Sequence, residues 1–94
     1  MHVRAVRFSD VNRERIEELM ARIEESGGPP EGVPSTAIQL LFDEDQGTAL
    51  VLQSYDTVED LKTGERVLDA MDSSETPGTR VSVDRCEVKV DRRA

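Results

Sequence analysis

Residues 36–55 read TAIQLLFDEDQGTALVLQSY, and this stretch decides the fold. Its two halves, 36–43 and 48–55, are apolar segments of strand length with a period of two residues, which is typical of β-strands. The acidic loop between them contains Gly47, which can take the positive φ that tight hairpin turns often need. Strands joined by so short a loop pair antiparallel. The stretch therefore predicts a β-hairpin.

Helical patterns lie on both sides of this hairpin. In 13–25 the apolar residues recur with helical spacing and form one stripe: Ile16, Leu19, Met20 and Ile23. Asn12 suits the N-cap of this helix and Gly27 its left-handed end. Thr57 begins a second helix, whose weaker apolar stripe includes Leu61, Leu68 and Met71. Gly64 in its middle lowers helix propensity, which indicates either a close approach of two backbones or a bend.

The two ends of the chain predict the outer strands, at 2–8 and 80–90. The alternation of the last segment changes phase near Asp84 and Arg85, which indicates a β-bulge or two short strands. The predicted order is therefore βαββαβ. Right-handed crossovers then give a ferredoxin-like α+β fold, a four-stranded antiparallel sheet with both helices on one face. We expect 1–94 to form a single domain.

Composition excludes several classes of function. The net charge of −8 and the pI near 4.6 disfavour nucleic acid and anionic membrane surfaces as partners. No run has the length of a membrane span or the form of a signal peptide, so we expect a cytoplasmic protein. One cysteine and one histidine are too few for a structural metal site, and no cofactor motif is present. We expect Cys86 to be a buried, inert thiol.

Two helices cover only one face of such a sheet. The residues predicted to face the helices are all apolar: Val6, Phe8, Ile38, Leu40, Phe42, Leu50 and Leu52. The opposite face is predicted to carry a mixed set: Val3, Ala5, Arg7, Gln39, Leu41, Val51, Gln53 and Tyr55. That face is too apolar to be left in water and too polar for an ordinary core. We expect a second subunit, a ligand or both to cover it.

The order of elements, the pattern of the first strand and the segment ALVLQSYDTVEDL at 49–61 resemble the antibiotic biosynthesis monooxygenase superfamily, the dimeric α/β barrels. The resemblance implies a homodimer whose sheets pack face to face as a barrel. It implies a pocket within the barrel or between each sheet and its helices. Some members oxidise polycyclic aromatics with O₂ and no cofactor, and some degrade haem.

This sequence departs from the family pattern at several positions. Oxidising members commonly carry a Trp at the end of the third strand, where Tyr55 stands here. Haem-degrading members place a His in the following helix and an Asn in the first strand. The matching segments here, LKTGER at 61–66 and HVRAVRF at 2–8, contain neither, which argues against haem degradation.

The resemblance thus implies a protein with a pocket for a small apolar or aromatic ligand. Its activity would be that of a cofactor-independent oxygenase or isomerase on an aromatic or polyketide-like substrate. The alternative is a non-catalytic dimerising or ligand-sensing module whose free face is consumed by the interface. The sequence leaves open whether the protein is an enzyme.

Four polar residues are candidates for lining the pocket. The Tyr55 phenol can hydrogen-bond a ligand or place its hydroxyl in water. Arg7 can bind an anionic oxygen of a ligand or pair with an acidic residue across a dimer. Gln39 and Gln53, predicted on paired strands and one face, can line a cavity or pair with each other. No residue is a candidate for binding a metal.

Overall fold

A computed structural model of the chain describes residues 1–70 and 76–93. The elements follow the predicted βαββαβ order: β1 His2–Ser9, α1 Arg13–Ser26, β2 Ala37–Asp43, β3 Thr48–Tyr55, α2 Val58–Asp69 and β4 Thr79–Glu87. The four strands form one antiparallel sheet in the order β2-β3-β1-β4. The ferredoxin-like prediction is confirmed. Met71, expected in the apolar stripe of the second helix, lies outside the described residues.

The helix boundaries follow the local chemistry expected from the sequence. The Asn12 side chain accepts a hydrogen bond from the Arg15 amide at 2.8 Å, and α1 ends at Gly27 with φ of 67°. The Thr57 hydroxyl accepts a hydrogen bond from the Asp60 amide at 3.1 Å and caps α2. These caps satisfy amide donors that have no partner within a helix.

The predicted faces of β3 are wrong. Val6 lies opposite Val51, and Arg4 lies opposite Gln53, and residues directly opposite share a face. Gln53 and Tyr55 therefore face the helices, whereas Leu50 and Leu52 lie on the other side of the sheet. The prediction failed because both alternating sets of this strand contain large apolar residues. The pairing register, and not hydrophobicity, decides which set faces the helices.

The irregularity in β4 is also misplaced in the prediction. The pairing between β1 and β4 shifts between Arg7 and Phe8, which lie opposite Ser82 and Arg80. The extra residue is therefore Val81, well before 84–85, and its side chain is 57% exposed. The strand also ends at Glu87 rather than at residue 90.

The core has two clusters, one under each helix. The cluster under α1 joins β1 and β3 to that helix, and its members are Val6, Phe8, Val11, Ile16 and Ala49. The cluster under α2 contains Val33, Tyr55 and Leu61. Of the apolar stripe of α1 only Ile16 is buried; Leu19 and Ile23 are half-buried and Met20 is exposed. The second half of α1 thus stands off the sheet and leaves a space beneath it.

Candidate ligand cleft

A cleft of about 1250 Å³ separates α1 from the sheet. Its floor consists of helix-facing strand residues: Arg4, Val6, Phe8, Ile38, Val51 and Gln53. Its α1 wall consists of Arg15, Leu19, Arg22 and Ile23, and residues 26–30 and 76–80 form the rim. The volume exceeds that of a typical drug-sized ligand site, roughly 300–1,000 Å³. We call this space the cleft.

Gln53 lies on the floor of the cleft. It is 7% exposed, and the pairing register places it between Arg4 of β1 and Ile38 of β2. Its side-chain amide forms no hydrogen bond with another residue of the described ranges, 1–70 and 76–93. Among the described residues, the Tyr55 hydroxyl is the one fully enclosed side-chain polar atom without a partner, so the Gln53 amide atoms are not sealed off in this way. The amide opens to the cleft, where water or a ligand can supply its hydrogen bonds.

Arg4 lies beside Gln53 and is 5% exposed. Its Nε contacts Oε2 of Glu65 at 3.3 Å, and its Nη2 contacts Oδ1 of Asp69 at 3.1 Å. Arg80 Nη1 approaches the same Oδ1 at 3.2 Å, and Arg85 Nε donates to Glu65 Oε2 at 2.7 Å. Alternating charges thus connect α2 to β1 and β4. Three members of this network also line the cleft: Arg4, Asp69 and Arg80.

The network changes the acidity of two groups. The hydrogen bonds from Arg85 are the largest cause that lowers the pKa of Glu65, and Arg4 adds to the effect. Burial raises the pKa of Tyr55 above 10.0; the charge of Arg4 opposes this shift and that of Glu65 adds to it. In the neutral range Glu65 is therefore ionised and Tyr55 is a neutral phenol.

Tyr55 is wholly buried and does not line the cleft. Its ring packs on Gly64 of α2, where a Cβ would lie 2.7 Å from the hydroxyl oxygen. The prediction for this glycine was a close approach of two backbones or a bend, whereas the group that approaches it is the Tyr55 side chain. The hydroxyl has no hydrogen-bond partner among the residues that the structure describes.

Arg7 and Gln39 lie on the sheet face away from the helices, opposite Leu50 and Leu52 respectively. We call this the open face; its members on β1, β2 and β3 are Val3, Ala5, Arg7, Ser9, Ala37, Gln39, Leu41, Asp43, Thr48, Leu50, Leu52 and Ser54. The structure therefore divides the four candidates between two faces. The prediction that Gln39 and Gln53 share a face is wrong.

Sequence reasoning missed Arg4, although a signal for it existed. Arg4, Val6 and Phe8 occupy alternate positions of the first strand and so share one face. Arg4 is therefore a charged residue on a face with apolar neighbours. A charge in that position needs partners, and those partners belong to α2, sixty-one and sixty-five residues away. Leu19 and Ile23, which belong to the predicted apolar stripe of the first helix, line the cleft.

The donor chemistry of the cleft is limited. No His, Cys, Met, Tyr or Lys is among its described lining residues. The described part of the chain also holds no group of three or more His, Cys, Asp or Glu that suits a metal ion. Cys86, expected to be buried, is exposed. In residues 1–70 and 76–93 no helix is long and apolar enough to cross a membrane.

Comparison with known proteins supports the fold. No protein-family model matches the chain, and no curated protein is significantly similar to it in sequence. A solved structure of a point mutant of MhuD, with two manganese protoporphyrin IX molecules bound per active site, matches with a TM-score of 0.64. The match covers 100% of both chains at 17% identity. The chain therefore shares its fold with that MhuD structure over its whole length.

Proposed function

We propose that this chain binds a small aromatic or polyketide-like molecule in the cleft. The observation that carries the proposal is the Gln53 amide, which opens to the cleft from its floor and has no protein partner among the described residues. Apolar walls with a few polar groups at fixed positions are typical of small-molecule sites. Here Val6, Val51 and Leu19 supply apolar surface close to the amide.

The MhuD structure supports a large flat ligand, because that protein holds two manganese protoporphyrins in one active site. A metalloporphyrin does not suit the cleft of this chain. Its metal needs an axial ligand, and the described lining offers no His, Cys, Met, Tyr or Lys. We therefore propose an organic ligand without a metal.

The chemistry available in the cleft fits an oxygenase or isomerase that uses no cofactor. Both activities begin when a proton leaves the substrate and negative charge develops on an oxygen. The Arg4 guanidinium and the Gln53 amide, both on the cleft floor, are donors for that oxygen. Asp69, beside Arg4, is a carboxylate that can accept the proton. An isomerase would return the proton to another carbon, and an oxygenase would let the anion react with O₂.

Native mass spectrometry of the purified protein tests the site. We expect the wild type to carry an additional small mass, Gln53→Met to lose it and Gln39→Met to keep it. Methionine is close to glutamine in size, so the first change removes hydrogen bonds and little volume. A mass that persists in Gln53→Met and is lost in Gln39→Met would move the ligand to the open face. A wild type without any additional mass would favour the non-catalytic module.

We also propose that a second copy of the chain covers the open face and forms a homodimer. Leu41 is 46% exposed there, next to Leu50 and close to Arg7. In residues 1–70 and 76–93, neither Arg7 nor Asp84 of the same face has an ion-pair partner. A two-fold axis brings the same surface of both subunits together. Because the open face carries both a positive and a negative charge, the positive charge of one subunit can lie against the negative charge of the other. The dimerising-module alternative depends on this surface alone.

A further inference from the structure

We infer that the ligand of the cleft is an anion with a flat apolar body, and this inference rests on the binding site proposed above. The chain as a whole carries a net charge of −8. Among residues 1–70 and 76–93, the charged residues that line the cleft have the opposite balance, with four arginines and two aspartates: Arg4, Arg15, Arg22, Arg80, Asp10 and Asp69. An excess of positive charge inside an acidic protein selects for negative ligands.

Two of these arginines converge. Arg4 Nη2 and Arg80 Nη1 contact the same oxygen, Oδ1 of Asp69, at 3.1 and 3.2 Å. A guanidinium has five N–H donors, and this oxygen engages one donor from each side chain. Arg4 also donates through Nε to Glu65, which still leaves donors on both guanidinium groups. A ligand carboxylate can therefore bind next to Asp69 and share its two arginines.

A second cationic group, Arg15, extends from the α1 wall to the rim. Arg15 Nε donates to the Pro77 carbonyl at 3.3 Å, which holds the side chain over the cleft. Arg4 is almost fully buried, so solvent screens its charge less than that of a surface arginine. The positive charges thus lie on the floor and on the rim of one cleft, where they act on the same ligand.

The apolar floor sets the size of the ligand body. Arg4 and Phe8 are four residues apart on β1, a span of roughly 13 Å. Val6 and Val51 lie opposite each other between them, with Leu19 of α1 also lining the cleft. This surface accommodates two or three fused aromatic rings, with the acidic group at the arginines.

Two fluorescent probes that differ by one charged group test the inference. 8-Anilinonaphthalene-1-sulfonate is an anionic aromatic molecule, and N-phenyl-1-naphthylamine has the same rings without the sulfonate. We expect the wild type to bind the sulfonate about tenfold more tightly than the neutral probe. Raising the salt concentration should weaken binding of the sulfonate and leave the neutral probe unchanged. That salt test needs no variant.

Charge variants locate the effect. Arg80→Gln should reduce the preference for the sulfonate about tenfold, and Lys62→Gln, which removes an exposed charge outside the cleft, should not. Asp69→Asn should increase affinity for the sulfonate, because it removes the internal competitor for Arg4 and Arg80. Thermal unfolding of each variant confirms that it is folded. Should Arg80→Gln not fold, Arg15→Gln removes the rim charge instead.

A further pair of variants separates this inference from the proposed site. Leu19→Trp fills the cleft from α1, whereas Met20→Trp places the same side chain on the exposed surface of that helix. If the two probes bind with equal affinity, and neither salt nor Arg80→Gln changes the ratio of their affinities, the inference of an anionic ligand is wrong. The proposed site in the cleft is not contradicted by that result. If Leu19→Trp affects neither probe, or neither binds the wild type, the site itself is wrong.

Discussion

The ring of Tyr55 lies directly against Gly64, so that a Cβ on Gly64 would be 2.7 Å from the hydroxyl oxygen and 2.8 Å from Cε1. No real Cβ contact is that short, so a larger residue at this position must displace α2 or the ring. The glycine thus permits the close packing of α2 on the end of β3. This packing fixes the helix that carries Glu65 and Asp69, the partners of Arg4.

Gly64→Ala should therefore destabilise the fold. Alanine favours the helix by about 1 kcal/mol over glycine. Overpacking costs typically 1–3 kcal/mol, and we expect about 2–3 kcal/mol here because three atoms of the buried Tyr55 side chain would lie within 3.0 Å of the new Cβ. We expect the free energy of unfolding, measured by chemical denaturation, to fall by about 1–2 kcal/mol. Lys62→Ala, on the exposed side of the same helix, is the control and should change it by less than about 0.5 kcal/mol. A Gly64→Ala variant as stable as the wild type would contradict the packing.

Tyr55 should ionise only above its ordinary pKa of 10.0, because burial raises the pKa of its phenol. A raised folded-state pKa contributes stability that is complete below pH 10.0 and is lost as the pH rises through the folded value. The chain has one tyrosine and no tryptophan, so its near-ultraviolet absorbance reports this group alone. Titration at or below pH 10.0 in the folded protein would show that the ring is accessible.

Tyr55→Phe provides the matching variant. It removes a buried hydroxyl that has no partner in the described ranges, so we expect the free energy of unfolding to stay the same or rise by about 1 kcal/mol. It should also remove the alkaline loss of stability. A fall of more than about 1 kcal/mol would show that the hydroxyl has a structural partner.

Glu65 should make the protein sensitive to acid. Its pKa is lowered from 4.5, first by the hydrogen bonds from Arg85. A lowered folded-state pKa contributes stability above pH 4.5 that is lost as the pH falls through the folded value. Glu65→Gln should lower the thermal midpoint at neutral pH. The free energy of unfolding should fall there by about 1–3 kcal/mol. The difference from the wild type should shrink below pH 4.5.

Glu59→Gln, in the exposed first turn of α2, is the control for Glu65. It should follow the wild type over the whole pH range. A constant difference between Glu65→Gln and the wild type from neutral to strongly acidic pH would mean that the ion pairs of Glu65 do not stabilise the fold.

Leu41→Asp should break the proposed homodimer. A carboxylate placed at an apolar dimer interface must be buried without a partner. We therefore expect the Kd of the dimer to rise by at least about tenfold. Light scattering after size-exclusion chromatography measures the change. Ile38→Asp is the matched control, because Ile38 is 43% exposed on the same strand but faces the helices. Equal effects of both changes would show that the open face is not the interface.

The sequence was sufficient for the order of elements because each one has its own periodic pattern and cap. The Asn12 and Thr57 caps and the turn at Gly47, with its φ of 67°, required only local chemistry. The faces of β3 were not predictable in this way. Its two alternating sets are both apolar, so only the pairing of Val6 with Val51 decides between them.

The candidate site was predictable only in part, for the same reason. Gln53 was a candidate for lining a pocket, but its face depends on a register that no local pattern contains. Arg4 and Asp69 are sixty-five residues apart, and only the tertiary fold brings them together. Tyr55 is an ordinary candidate by residue type. The sequence shows that Gly64 lies in the middle of a helix. It does not show that Tyr55 packs against this glycine.

The most direct test of the cleft is the side-chain amide region of the ¹H–¹⁵N NMR spectrum. The chain has only three glutamines and one asparagine, so few signals occur there, and Gln53→Met assigns the pair that matters. On addition of N-phenyl-1-naphthylamine we expect the Gln53 amide signals to shift, while those of Gln39 stay in place. Shifts of Gln39 with Gln53 unchanged would place the ligand on the open face and contradict the account.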